Sequence, residues 1–274
     1  REASGDIILF SDATTEYGPD VLRRLLPAFA DEAVGCVAGR LIYVDKAGSS
    51  VGSGAKSYWN YETFLKRAES AACSLIGASG CIYAVRRSAY EPMYPEACSD
   101  FLICTELFRK GLRSVFEPDA VCTELTNHRT DAEVSMRVRV ISQTLTDLWR
   151  NRDMLNPAKS GFYAIELISH KCLRYAVPLM LAVLLASNAI LAFSPGVFRI
   201  VFAVQVVVYV AALAGWVTER FGQRKKLLRP TQLYEALLAI PQYFVLANLA
   251  SVIAFYRFVR GERVVTWEPI RESS

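Results

Sequence analysis

The stretch GDIILFSDATT, Gly5 to Thr15, decides how the rest of the chain is read. From Asp6 to Asp12 a short apolar run stops at a polar cluster, the pattern of a buried parallel strand that delivers its last residues into a site. Asp12, followed by Ala13, Thr14 and Thr15, stands where a carboxylate can face a cation or a ribose hydroxyl in an open α/β crevice. The same position also suits a helix or turn cap. The chain begins at Arg1 and enters this strand pattern within six residues, so it reads as a piece of a longer protein.

Working outward, Pro19 and Asp20 open a helix, VLRRLLPAF, with Val21, Leu22, Leu25, Leu26 and Phe29 expected on one face. AVGCVAGRLIYVD reads as a pair of strands around Gly39, KAGSSVGSG as a loop and SYWNYETFLKRAESAA as a helix. SLIGASGCIYAVRRSAY reads as a strand broken at Gly77 and Gly80. SDFLICTELFRKGLRSVFEPDAV predicts a helix with Leu102, Leu107 and Phe108 inward, stopped at Gly111, and then a strand ending near Pro118. The order strand, helix, strand, helix, strand is that of an α/β domain.

Composition divides the chain in two. Of 274 residues, 53% are hydrophobic and 21% charged, which excludes a disordered chain. Mean hydropathy is +0.23, but most acids precede residue 170 and the segment 171–258 is nearly free of them. Thr130 and Glu133 have capping-box spacing and open a long helix, TDAEVSMRVRVISQTLTDLWR, which Asn156 and Pro157 break. GFYAIELISHK then reads as a short amphipathic helix leading to the membrane. Apolar stretches at 173–193, 198–218 and 236–256 each approach the ~20 residues a helix needs to span a bilayer.

Lys171 and Arg174, with Arg220, Arg224, Lys225, Lys226 and Arg229 between the second and third stretches, mark the cytoplasmic side. Arg257, Arg260 and Arg263 prefer that side too, which conflicts with a third crossing and leaves the last topology open. Pro241 and Gln242 likewise leave the third stretch open to a kink, a tilt or a partly interfacial course. The net charge of +4 is read as facing the membrane, with no nucleic-acid partner. Seven cysteines without a CxxC pair, alongside only His128 and His170, argue against zinc and for small core residues on a reducing, cytosolic face.

Three further groups are candidates for chemistry. Asp100 follows the loop from Pro92 to Ser99 and precedes a helix, where it can act as a general base on an acceptor hydroxyl or as an N-cap. Gly77, Ala78, Ser79 and Gly80 let a ligand approach the backbone, although a bulge or tight packing has the same signature. Arg137 and Arg139, with Gln143 and Arg150, can clamp a diphosphate, or lie on a solvated face against lipid headgroups.

Taken together, these segments resemble the C-terminal half of a family 2 glycosyltransferase of the GT-A fold, from a bacterial membrane-bound branch. GDIILFSDATT is similar to the strand ending in the DxD motif, and GASGCIYAVRRSAY to the acceptor-side segment. SDFLICTELFRKG is similar to the DD or TED segment, with Asp100 eleven residues before Gly111. MRVRV, Met136 to Val140, falls where synthases of cellulose and hyaluronan carry QxxRW; its arginines remain and its Gln and Trp do not. LNPAKSGFYAIELISHKCLRYAVP and GERVVTWEPIR also resemble this branch, so the likeness covers nearly the whole chain.

The resemblance implies a GT-A-like, Rossmann-like mixed sheet lacking its first nucleotide-binding strands over residues 1–129. Interface helices would follow at 130–170, three membrane helices at 171–258 and a tail at 259–274. It implies transfer of a sugar, with inversion, from a nucleotide diphosphate sugar to a hydroxyl of a lipid-linked or saccharide acceptor. The domain would face the cytoplasm at the inner membrane, in contact with its lipids. Asp100 would be the base, Gly77 to Gly80 would shape the acceptor pocket, and Asp12 would hold Mg²⁺ or Mn²⁺. Asp12, Thr14, Arg137 and Arg139 would face the donor diphosphate. Thr14 stands in place of the second DxD acid and Ser99 in place of the acid before the base, while Val140 removes a stacking platform and argues against a processive synthase. Without its first strands the chain alone is expected to bind nucleotide sugar poorly. The competing reading is a non-catalytic scaffold of a polysaccharide assembly. A transporter is disfavoured because Asn188, Gln205 and Asn248 form no ionisable relay.

Overall fold

The computed structural model describes residues 3–44, 50–126, 130–194, 196–222 and 232–263. The basic segment holding Arg224, Lys225, Lys226 and Arg229, all of the tail after Arg263, His128 and part of the KAGSSVGSG segment lie outside these. Strand β3, Val34–Val44, is the axis of the sheet. On one side it pairs antiparallel with β4, Tyr83–Arg86, and on the other in parallel with β5, Arg113–Leu125. β1, Ile7–Phe10, adds antiparallel to β4, and the two-residue β2, Glu16–Tyr17, adds antiparallel to β5. The order is β1-β4-β3-β5-β2, a mixed sheet.

Side chains alternate across that sheet with period two. Cys36, Ala38, Tyr83, Val85 and Phe116 meet Ile103, Cys104 and Leu107 of helix α3, Ser99–Arg109, on one face. Val37, Leu41, Ile82, Ala120 and Cys122 meet Val21 and Leu25 of helix α1, Val21–Leu25, on the other. Each of these large side chains contributes about 1.5–3 kcal/mol on burial. Gly111, at φ 77°, ends the helical stretch before β5 with the left-handed turn a side chain would resist.

Several elements differ from the sequence reading. β1 is an antiparallel edge strand with Leu9 38% exposed, because an unbroken apolar run reads the same at a sheet edge as in its centre. The two strands expected around Gly39 are one. A Cβ there would lie 2.6 Å from the Ala120 carbonyl oxygen and 2.8 Å from Ile82 Cγ2, so glycine lets β3 pass between its neighbours where the register slips. β5 runs past Pro118, since the pairing with β3 jumps from Ala38–Phe116 to Arg40–Val121 and demands no N–H from the proline. α1 stops at Leu25 and a 3₁₀ turn, Leu26–Ala30, follows around Pro27, which leaves Leu22 and Leu26 each 48% exposed. Phe108 is half-buried and stacks on Tyr163 at 4.1 Å.

Helix α2, Ser50–Ala72, takes in residues expected in a loop. A Cβ on Gly54 would lie 2.6 Å from Cβ of Tyr243, so two helices approach closely there. Helix α4, Thr130–Arg150, lays Val138 and Ile141 against Ala250 and Ala254 of helix α9, Gln232–Val259. The short helix α5, Pro157–Ser160, is capped by Asn156, whose Oδ1 accepts from Ala158 N at 3.0 Å. The expected amphipathic helix is continuous with the first apolar one: α6, Phe162–Leu167, a π-helical turn, Ile168–Leu173, and α7, Arg174–Leu191. With α8, Val197–Gly222, the described residues hold three helices long and apolar enough to cross a membrane, Phe162–Leu191, Val197–Val217 and Ile240–Val259. α9 continues through Pro241, and Asn188 Nδ2 donates to Gln205 Oε1 at 2.9 Å across α7 and α8.

Candidate active site between the sheet and the apolar helices

A cleft of about 890 Å³ opens beyond the end of β1, bounded by α2, α3, α4, α7 and α9. Asp12 enters from β1 and Asp100 from the first turn of α3, and Gly80 lies between them. A Cβ on Gly80 would sit 3.4 Å from Asp12 Oδ2 and 3.6 Å from Asp100 Oδ2, so the two carboxylates converge on one small gap. Burial pushes the Asp12 carboxyl up and the like charge of Asp100 adds to this, with the Arg139 guanidinium working against both.

Asp100 is held from several directions. Its carbonyl accepts from Ala78 N at 2.8 Å, and its Oδ1 accepts from the Cys98 thiol at 3.1 Å. Burial, then the charge of Asp100, pushes Cys98 well up, so the thiol stays a neutral donor. Beneath it, Asp147 of α4 accepts from Cys98 N at 3.0 Å and from the Tyr94 hydroxyl. Burial pushes Asp147 up to about 7; the bonds from Tyr94 and Cys98 N and the charge of Arg150 oppose the shift, and Asp100 adds to it.

The loop from Gly77 to Gly80 is tied by a residue the sequence reading passed over. Lys66 of α2, only 7% exposed, donates to Gly77 O at 3.0 Å, Ala78 O at 2.6 Å and Ser79 Oγ at 3.1 Å. All three ammonium hydrogens are thereby used, and the loop is fixed against Asp100 through the Ala78 amide. Thr14 and Thr15 both donate to Glu124 Oε1, at 3.3 and 2.5 Å. Glu124, near the end of β5, thus brings a second carboxylate beside Thr14, and its pKa is raised chiefly by burial, with Asp12 adding.

The two arginines of α4 differ. Arg137 donates through Nε to Glu133 Oε1 at 2.9 Å and through Nη2 to the Tyr243 hydroxyl, between the rings of Tyr58 and Tyr243, each 4.6 Å away. Its guanidinium joins α4 to α2 and α9. Arg139 lines the cleft near enough to Asp12 to act on its ionisation, with Nη1 donating to Gln143 Oε1 at 3.4 Å. Two more pairs cross the cleft wall: Arg174 with Glu62, and His170 Nδ1 with Glu69 Oε1 at 2.7 Å.

Among the described residues no cluster of three or more His, Cys, Asp or Glu side chains is placed to hold a metal. Asp12 nevertheless offers a hard oxygen donor in a place where two carboxylates converge, which suits a divalent cation shared with an anionic ligand better than one caged by protein alone.

No protein-family model matches the chain, and no curated protein matches it. Among solved structures it is similar to the mannosyltransferase PcManGT from Pyrobaculum calidifontis in complex with GDP-Man and Mn2+. The TM-score is 0.58 at 19% identity, over 95% of this chain and 64% of that one. The chain therefore spans less than two thirds of that protein, and the likeness is one of fold, shared with a glycosyltransferase.

Proposed function

We propose that this chain is part of an inverting, membrane-bound family 2 glycosyltransferase with a GT-A-like domain to about residue 129, interface helices at 130–170, membrane helices at 171–258 and a tail at 259–274. Its parent moves a sugar from a nucleotide diphosphate sugar to a hydroxyl of a lipid-linked or saccharide acceptor at the cytoplasmic face of the inner membrane. The observation that carries the reading is the convergence of Asp12 and Asp100 on Gly80, in a cleft whose far wall is made of apolar helices. That the fold is shared with a mannosyltransferase supports it.

In this reading Asp100 takes the proton as the acceptor oxygen attacks the anomeric carbon and the nucleoside diphosphate leaves. The loop from Gly77 to Gly80, braced by Lys66, sets where that hydroxyl lies. Mg²⁺ or Mn²⁺ held by Asp12 and the donor would offset the charge of the leaving group. Thr14 keeps Glu124 turned toward that place, and Arg139 adds positive charge. Arg137, first read as a diphosphate ligand, is engaged by Glu133 and Tyr243, so Arg139 takes the larger share of that role.

The test is nucleotide release from a panel of sugar nucleotides by the full-length protein in membranes, with and without Mn²⁺ or Mg²⁺. Metal-dependent release that falls about a hundredfold or more in Asp100→Asn is expected. No release from any donor by folded protein supplied with membrane lipids would favour the scaffold.

A further inference from the structure

The cleft does not end at its carboxylates. Val177 of α7 and Ile240, Phe244 and Ala247 of α9 line the same cavity as Asp12 and Asp100, so a polar end and a membrane-helix flank are continuous. Lys171 stands between them, on the π-helical turn, a helix form that often marks functional positions. Its Nζ lies 3.9 Å from where a Cβ on Gly77 would be and 5.2 Å from the centroid of the Phe101 ring. Neighbouring basic side chains on this wall have acids: Arg174 has Glu62, His170 has Glu69 and Arg137 has Glu133. Among the described residues the Lys171 ammonium has no hydrogen-bond or ion-pair partner within 4 Å; it feels the charge of Glu62, whose carboxylate is bonded to Arg174. A cation so placed, on a wall that turns apolar, calls for an anion that can itself reach an apolar surface.

The spacing says more. Lys171 abuts Gly77 and Asp100 abuts Gly80, and three residues of chain span at most about 10 Å. The two groups are thus near enough for one small acceptor to touch both. We propose, building on the transferase reading, that the acceptor is a lipid-linked saccharide. The phosphate joining sugar to lipid lies on Lys171, the hydrocarbon runs along Val177, Ile240, Phe244 and Ala247, and the sugar hydroxyl meets Asp100. Lys171 is then the residue that distinguishes a lipid phosphate from an uncharged acceptor.

The experiment uses the full-length protein in phosphatidylcholine nanodiscs with two photoreactive probes, a dodecyl phosphate and the matching alcohol, each carrying a diazirine on its chain. Adducts mapped by mass spectrometry are expected on the segment around Ile240, Phe244 and Ala247, at least tenfold more with the phosphate than with the alcohol. Lys171→Gln should abolish the preference and Lys171→Arg should keep it, both with wild-type melting temperature. An equal concentration of inorganic phosphate should not displace the probe. Equal labelling by the alcohol, displacement by free phosphate, unchanged labelling in Lys171→Gln, or equally heavy adducts on the exposed Leu179 and Val183 would each overturn the site. Nucleotide release dependent on Asp100, measured in the same nanodiscs, scores the transferase reading separately: release without selective labelling removes only the lipid site, and selective labelling without release removes only the transferase.

Discussion

Replacing Lys66 with Met removes the ammonium and keeps most of the apolar stem, so it isolates what the three bonds to the loop from Gly77 to Gly80 contribute. The variant leaves Gly77 O, Ala78 O and Ser79 Oγ without their present donor in a buried place. A hydrogen bond to a charged group contributes about 1.5–3 kcal/mol, and an orphaned buried acceptor costs about 1–3 kcal/mol. Against this, the variant no longer buries a charge, which returns a few kcal/mol of desolvation. Counting only the three orphaned acceptors against that return leaves a net loss of about 2–4 kcal/mol, or roughly 4–7 °C in melting temperature for a chain of this size. Because Ala78 N also holds the Asp100 carbonyl at 2.8 Å, loosening the loop displaces Asp100, and on the proposed transferase reading kcat should fall more than donor KM rises. Thermal unfolding in nanodiscs and steady-state nucleotide release measure both. A melting temperature within 1–2 °C of wild type with unchanged kcat would refute the claim that Lys66 braces the loop.

Two glycines should separate stability from activity. Gly80→Ala sets a methyl in ordinary contact with Asp12 and Asp100 and should lower turnover about a hundredfold with little change in melting, whereas Gly39→Ala, clashing with the Ala120 carbonyl oxygen at 2.6 Å, should cost about 1–3 kcal/mol of stability. Asp147 gives a pH signature: its carboxyl sits at about 7 in the fold against an ordinary 3.8, so the folded state holds the extra proton and stability falls as pH rises from about 4 to about 7, then levels. The drop is on the order of 4 kcal/mol at most, and Asp147→Asn should flatten that part of a stability-against-pH curve; a curve unchanged by the substitution would refute the assignment. A chain cut after Gly161 should lose the fixed aromatic packing of the cleft, read as a collapsed near-ultraviolet circular dichroism spectrum, and an intact spectrum would show that the sheet side stands alone.

What was legible in the sequence were positions at the ends of elements. Asp12 closes an apolar run and Asp100 opens a helix, and both kinds of boundary leave a local mark. Their convergence leaves none, because it depends on Gly80 being carried between them by the irregular segment before β4. Lys66, Glu124 and Asp147 were illegible for a related reason. Lys66 sits in a charged helical stretch that reads as a solvated face, Glu124 lies more than a hundred residues from the threonines it binds, and Asp147 looks like one more acid on a mixed helix. Edge strand and central strand were likewise indistinguishable in β1, since a run of four apolar residues carries no period.

The charged pairs of the cleft explain why the sheet and the apolar helices have to be read as one site. Glu62 and Glu69 belong to α2, on the sheet side, while their partners Arg174 and His170 belong to the helix that begins at Phe162. Glu133 of α4 accepts from Tyr243 of α9 at 2.8 Å as well as from Arg137. Each acid is mostly or fully buried, and breaking a buried pair by removing one partner typically costs about 3–5 kcal/mol. Removing the apolar helices would therefore leave Glu62 without Arg174, Glu69 without the His170 ring and Glu133 without the tyrosine hydroxyl. The bonds that fix Asp100, from Ala78 N and the Cys98 thiol, lie on the sheet side, while these pairs join that side to the apolar helices. The cleft around Asp12 and Asp100 is complete only where those helices are, since Val177, Ile240, Phe244 and Ala247 line it together with the two carboxylates.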